Sequence, residues 1–253
     1  MAGHSHSANI AARKGAVDIK RARNFNKLAR NIMSAVRQGG SDPDHNLKLK
    51  YAIEKARAGN MPKDNIERVI KRAAGEKGGA GFEEIVYEGY APGGVAIMVA
   101  CLTDNRARTA PDIRYAFDRH GGSIGSPGSV SFLFSFHAIL VAEKGERDED
   151  GWTEIALEAG AEDVKLEGDV VTLVAPPADF LPVKQKLEEK GTKLLSAELG
   201  WMPGSTVAIA DKEAAKKVLA LIEALEENDD VQNVYANYDI PEAWASELAQ
   251  GEG

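Results

Sequence analysis

Cysteine is nearly absent from this chain: Cys101 is the single one among 253 residues. That excludes an internal disulfide framework and fits a reducing compartment. Long apolar runs are missing too, and nothing approaches the roughly 20 residues that a membrane-spanning helix needs. The opening stretch MAGHSHSANIAARK lacks the apolar core of a secretory signal, and Ala2 breaks the myristoylation pattern. These absences predict a cytoplasmic protein with no membrane partner. His4, His6, His45, His120 and His137 show no metal-ligand spacing backed by cysteine or carboxylate. There is no nucleophile–base pair, no phosphate loop ending in Gly-Lys-Ser/Thr and no well-placed GxGxxG. Neither an enzyme activity nor a cofactor or metal is expected.

The most informative gap is in charge of one sign. Residues 19–41 contain no acid. The surrounding stretch, Arg13 to Arg37, carries Arg13, Lys14, Lys20, Arg21, Arg23, Lys27, Arg30 and Arg37 against Asp18 alone. At about 100° per residue, Phe25, Leu28, Ala29, Ile32 and Val36 share one arc of an amphipathic helix, and Lys20, Arg23, Lys27, Arg30 and Arg37 the opposite arc. Solvated helix faces normally interleave Glu with Lys, so a face of one sign points to phosphate contact. The asymmetry extends to the whole chain. Met1 to Arg72 holds 16 Lys and Arg against 6 Asp and Glu, or +10; the remainder holds 15 against 33, or −18. The net charge of −8 hides this split, because fields act over a Debye length of about 8 Å in physiological salt. A basic head on an acidic body predicts a local, oriented contact with a polyanion rather than wrapping.

In order, Met1 to Asn9 is small and polar and reads as a mobile tail. The basic helix stops near Gly39-Gly40, and Ser41-Asp42-Pro43-Asp44 reads as an N-cap and turn cluster. A second helix buries Leu49, Ala52, Ile53 and Ala56. A third, opened by Pro62, buries Ile66, Val69, Ile70 and Ala73, with Asp64–Arg68 and Glu67–Lys71 as supporting pairs. Residues 75–81 read as a flexible linker. Strands follow at 85–90 and 95–102 around Ala91-Pro92-Gly93-Gly94, which suits a type II turn. Thr109 to Asp112 reads as a capping box opening a helix over Ile113, Ala116 and Phe117. Val130 to Phe136 alternates as a half-buried strand. Residues 137–203 follow the order β-α-β-β-α-β of a ferredoxin-like unit. A strand, a long helix and a strand between 206 and 238 then complete the sheet begun before the insertion. The expected class is α+β: a three-helix bundle plus two α+β domains, the last inserted in the middle one. The boundaries are 1–78, 79–136 plus 204–240, and 137–203, with a tail at 241–253.

Three further constellations have two readings each. Thr103 to Thr109 offers Asn105, Arg106 and Arg108 to a phosphate or base edge, or is an ordered connection whose Asp104 and Asn105 satisfy backbone amides. Gly121 to Ser129 looks like a phosphate loop but leads into a strand rather than a helix, so it reads as structural. Glu226 to Asp230 reads as a solvated turn rather than a cation site.

These residues resemble the YebC/PmpR family. The matching segments are MAGHS and ANI, Asn60 to Arg68, Tyr87 to Tyr90 with Pro92 to Val95, Leu102 to Arg106, His120 to Gly122 with Gly128 to Val130, and Asp229 to Val234. They span essentially the whole chain. His6 and Ser7 stand where that family usually has Lys and Trp, and Ala11-Ala12 replace a more basic and polar pair. The resemblance implies the same three-domain architecture and a DNA-binding transcriptional regulator. The family also includes a mitochondrial translational activator, and bacterial members are linked to relief of ribosome stalling. It adds weight to a binding role for Asn105, Arg106 and Arg108. The expected partner is nucleic acid, DNA or ribosomal RNA, with the ribosome as the alternative platform and a monomer in solution. An adaptor docking an acidic protein and a small-molecule sensor are the competing classes.

Overall fold

The computed structural model describes residues 19–75 and 81–241 together with Trp244, and only the backbone of residues 19–23. The tail Met1 to Asn9, Arg13 and Lys14, most of the linker and nearly all of the C-terminal tail lie outside these. Among the described residues no helix is long and apolar enough to cross a membrane.

Three helices form the head: α1 (Ile19–Gly39), α2 (Leu47–Ala58) and α3 (Lys63–Gly75). The period of α1 does what its spacing predicts, burying Leu28, Ile32, Ala35 and Val36 against Leu49, Ala52 and Ala56 of α2 and Ile66 and Ala73 of α3. The start of α2 differs from expectation. Its N-cap is Asn46, not the 41–44 cluster, which only forms the turn before it. Asn46 Oδ1 accepts from Leu49 N at 3.1 Å, while its Nδ2 donates to Ala35 O and Gly40 O at the end of α1. One amide thus satisfies orphan groups of two helix ends, which neither the shorter Ser nor the acceptor-only Asp could do. In α3 the i,i+4 pair is Lys63–Glu67 at 3.7 Å. Neither Asp64–Arg68 nor Glu67–Lys71 forms among the described residues.

The body begins with the hairpin β1 (Glu83–Ala91) and β2 (Val95–Thr103). Gly93 at φ 82°, ψ 6° supplies the left-handed position that the type II turn requires. Helix α4 (Arg106–Arg119) starts earlier than the Thr109 box implied: Asn105 is the N-cap and Pro111 lies inside the helix. The stretch expected to alternate from Val130 is a 3-10 turn over Ser131–Leu133, leaving Phe132 exposed. The strand proper, β4, runs Phe134–Glu143.

There follow β3 (Ser123–Ile124) before that turn and, after β4, α5 (Glu149–Ala159), β5 (Asp163–Glu167), β6 (Val170–Ala175), α6 (Phe180–Glu189) and β7 (Leu194–Pro203). The chain ends with β8 (Val207–Ala208), α7 (Lys212–Glu226), β9 (Val231–Ala236) and β10 (Tyr238–Asp239). One antiparallel sheet has the order β3-β1-β2-β9 and another β5-β6-β4-β7, the latter the ferredoxin-like order. Contrary to the sequence expectation, the strand after residue 206 does not join the first sheet, because β8 pairs in parallel with β10 in a two-stranded sheet. The fold is α+β. Strand β9 returns to pair with β2 after the whole second sheet has been made, from Ile97↔Ala236 to Cys101↔Val231.

Helices α4 and α7 cover one face of the first sheet, with Ile113, Phe117, Val218, Leu221 and Leu225 against Val95, Ile97 and Val99. Trp152, Phe180, Val183 and Leu187 cover the second sheet at Ala138, Leu140 and Ala142. Each buried Val, Leu, Ile or Phe among them contributes about 1.5–3 kcal/mol. Cys101 is buried in the first core, and burial pushes its thiol up to about 12. It stays protonated and unreactive.

Candidate nucleic-acid interface

The basic arc of α1 is not uniformly open to solvent. Lys27 Nζ donates to Glu226 O at 2.6 Å, at the last turn of α7. Carbonyls there lack helical partners and the helix dipole is negative, so a cation is well placed. One turn on, Arg30 Nη1 donates to Asp229 O at 3.0 Å and to Asp230 Oδ1 at 2.5 Å. Asn31 Nδ2 then donates to Gln232 Oε1 at 2.9 Å, and Lys55 of α2 reaches Asn233 Oδ1 at 2.8 Å. The head also meets the second sheet's helices, through Lys184–Glu54 at 2.5 Å and an edge-on Tyr51–Phe180 contact at 5.7 Å.

Asp230 is the hub of this docking. Its side chain is 4% exposed. Besides Arg30 it accepts from Arg108 Nη2 at 2.9 Å, Thr109 Oγ1 at 2.8 Å and Thr103 Oγ1 at 3.2 Å. Two carboxylate oxygens offer about four acceptor sites, and four donors from three elements fill them. Burial pushes this carboxyl up, but the hydrogen bonds from Arg108, Thr109 and Arg30 outweigh it and hold the group below the usual aspartate range. It is ionised at neutral pH. The acidic 226–230 segment is therefore no solvated turn at Asp230: it is the body's receptor for the head.

The residues singled out from sequence fall into distinct places. Arg13 and Lys14 lie outside the described residues, and Lys20, Arg21 and Arg23 lie on the first turns of α1. Lys27 and Arg30 face the body. Arg37, at the far end of α1, sits with its guanidinium 5.4 Å from the Phe82 ring centroid. Asn105 caps α4, accepting from Arg108 N at 3.2 Å. Arg106 is exposed and makes no hydrogen bond or ion pair among the described residues, though its charge acts on the Tyr87 hydroxyl. Arg108, 48% exposed, also pairs with Asp104 at 3.0 Å. The fold thus brings Arg30 and Arg108 together on Asp230 at the head–body seam, with Arg106 two residues before Arg108 on α4, and leaves Arg37 apart.

Further exposed cations were not singled out: Lys50 on α2, and Arg68 and Lys71 on α3. None has a partner among the described residues. Their signal in the sequence was outward helical spacing, weaker there because Asp64 and Glu67 share the helix.

The glycine-rich 121–129 segment offers no free amide cradle. The Glu88 carboxylate, buried in β1, accepts from Gly128 N, Val130 N and Ser131 N at 2.7–2.8 Å. Burial pushes it up, yet those three amides hold it below the usual range. An internal anion already occupies the position a phosphate would take.

Comparison with known proteins agrees with this architecture. Residues 5–76 match the TACO1/YebC protein N-terminal domain, and residues 82–238 the TACO1/YebC second and third domain. The chain belongs to the TACO1/YebC family. A relative from Rubrobacter xylanophilus named "Probable transcriptional regulatory protein" is 50% identical over 98% of this chain and 100% of its own length. One of the same name from Halothermothrix orenii is 47% identical over 99% of this chain and 100% of its own. The crystal structure of a conserved hypothetical protein from Aquifex aeolicus superposes with a TM-score of 0.81 at 47% identity, covering 91% of this chain and 95% of that one.

Proposed function

We propose that this chain is a nucleic-acid-binding regulator of gene expression, acting as a DNA-binding transcriptional regulator. The observation that carries the reading is a +10 helical head set in a defined orientation on a −18 body. Relatives named as transcriptional regulatory proteins over their full length support it. In this reading Lys27, Arg30 and Arg108 fix the head. Arg13, Lys14, Lys20, Arg21 and Arg23 meet phosphates, with Arg37, Asn105 and Arg106 at the margins. Such contacts position a nucleic acid without reading its sequence.

A ribosomal RNA partner is the second reading, with translation as the regulated step. It is favoured by the side-on docking of α1 through Lys27, Arg30 and Asn31, which hinders entry of that helix into a major groove. Structured RNA is bound largely through shape and backbone and asks for no such entry.

Gradient sedimentation of a lysate, with and without nucleases, separates the two. The first reading predicts migration with chromosomal DNA and release by deoxyribonuclease. Ribosomal migration abolished by ribonuclease selects the second. Migration indifferent to both nucleases contradicts both and selects a protein adaptor.

A further inference from the structure

A second cationic feature lies on the body, at the end of α4 remote from the head. Arg119 and His120 at the close of α4, Lys216 and Lys217 in the second turn of α7, and the turns at Pro92 and Gly121 line an open groove of about 590 Å3. Asp118 is the single carboxylate on its wall. Three permanent cations meet here although the chain beyond Arg72 carries −18. Lys216 and Lys217 are exposed and have no partner among the described residues. Like charges lining one groove repel one another, and an anion relieves the repulsion.

Beside the groove stands Tyr115, 62% exposed. Its hydroxyl accepts from Arg119 Nη1 at 3.1 Å, and the guanidinium lies 6.0 Å from its ring centroid. The arginine of the groove therefore also holds a flat aromatic face outward. Cations beside an exposed, fixed ring are the combination that holds a single-stranded nucleic acid, because every base has a face to stack and every link a phosphate. A small phosphorylated ligand would need walls that enclose it; here the cations sit on exposed rims, which suits one contact among several along a strand. Helix α4 supplies the path. Arg106 opens the helix two residues before the seam residue Arg108, and Arg119 lies thirteen residues on, about 20 Å at 1.5 Å per residue.

We propose that this groove is a second nucleic-acid contact, in which Tyr115 stacks a base of a single strand and Arg119, Lys216 and Lys217 hold the flanking phosphates. It rests on the nucleic-acid reading above but uses none of the head's residues. The test is binding of a labelled single-stranded oligonucleotide to the full chain across a salt series, with Lys216→Glu/Lys217→Glu, Tyr115→Ala and Tyr115→Phe variants whose melting is checked. The charge-reversed variant is expected to weaken binding about tenfold and to flatten the log–log salt slope by about 1.4, or ~0.7 per phosphate lost. Tyr115→Ala should weaken binding about tenfold with the slope unchanged, and Tyr115→Phe, which keeps the ring and its guanidinium contact but loses the hydroxyl's hydrogen bond, by no more than about twofold. Parent-like affinity and slope in the charge-reversed variant overturn the proposal, as does a parent that binds no single strand. Inorganic pyrophosphate shifting the Gly121 and Gly122 amide resonances while oligonucleotide binding ignores Lys216 and Lys217 also overturns it. A Lys20→Ala/Arg21→Ala/Arg23→Ala variant, run alongside, reports on the head by itself, so the two failures are distinguishable.

Discussion

Asp230 shows how much a single side chain can settle. A carboxylate this buried is tolerated only when its lone pairs are filled, and here the fillers come from α1, α4 and the end of β2. Replacing it with Asn leaves Arg30 and Arg108 beside a neutral group. Those arginines are 27% and 48% exposed, so water softens the loss. The expected cost of Asp230→Asn is about 2 kcal/mol, in the range of hydrogen bonds to charged groups, read as a lower urea midpoint and faster amide exchange in α1. The pH dependence has a definite sign. Because the folded carboxyl lies below its unfolded value of about 3.9, its contribution is fully present above that value and is lost as pH falls through the folded pKa. The Asn variant should lack that acid-side loss. None of this was legible locally: Arg30 and Asp230 are 200 positions apart, and a run of Glu and Asp between a helix and a strand looks like any solvated turn until a partner is placed against it.

Among the elements, the α1–α2 junction depends on one amide. Asn46 caps α2 and ties down two carbonyls of α1's end. It can do so because Gly39 has no side chain; a Cβ there would lie 2.8 Å from Asn46. Asn46→Ala is expected to cost about 2 kcal/mol and to lower the melting temperature by several degrees, at about 2–4 °C per kcal/mol for a chain of this size. A melting temperature unchanged by the substitution would contradict the double cap. The helices themselves were legible because apolar period is a local signal, as Leu28, Ile32 and Val36 show. Their starts were less so. At 41–44 and again at Thr109 several residues could cap, and the choice fell to Asn46 and Asn105 through contacts formed only on folding. Thr109 instead turns inward to Asp230. The β1–β2 turn was fully readable, since Pro92-Gly93 admits few backbone geometries.

At the scale of the molecule, the order β-α-β-β-α-β carried the ferredoxin-like unit, and of the strand–helix–strand after it only β9 went back to β2, while the short β8 paired with β10 instead. Charge segregation was equally plain in the composition. The orientation of the head was not, because helical phase says which residues share a face but not what that face meets. Part of the basic arc of α1 meets the body's own acids, so the proposed phosphate contacts fall to Lys20, Arg21 and Arg23 at the start of α1. The salt dependence of duplex binding by the full chain tests that account most directly. Contact with about six phosphates predicts a log–log slope near −5, flattened by nearly three in the Lys20→Ala/Arg21→Ala/Arg23→Ala variant. A slope shallower than about −2, or the same slope in that variant as in the parent, would contradict a head that binds through its charge.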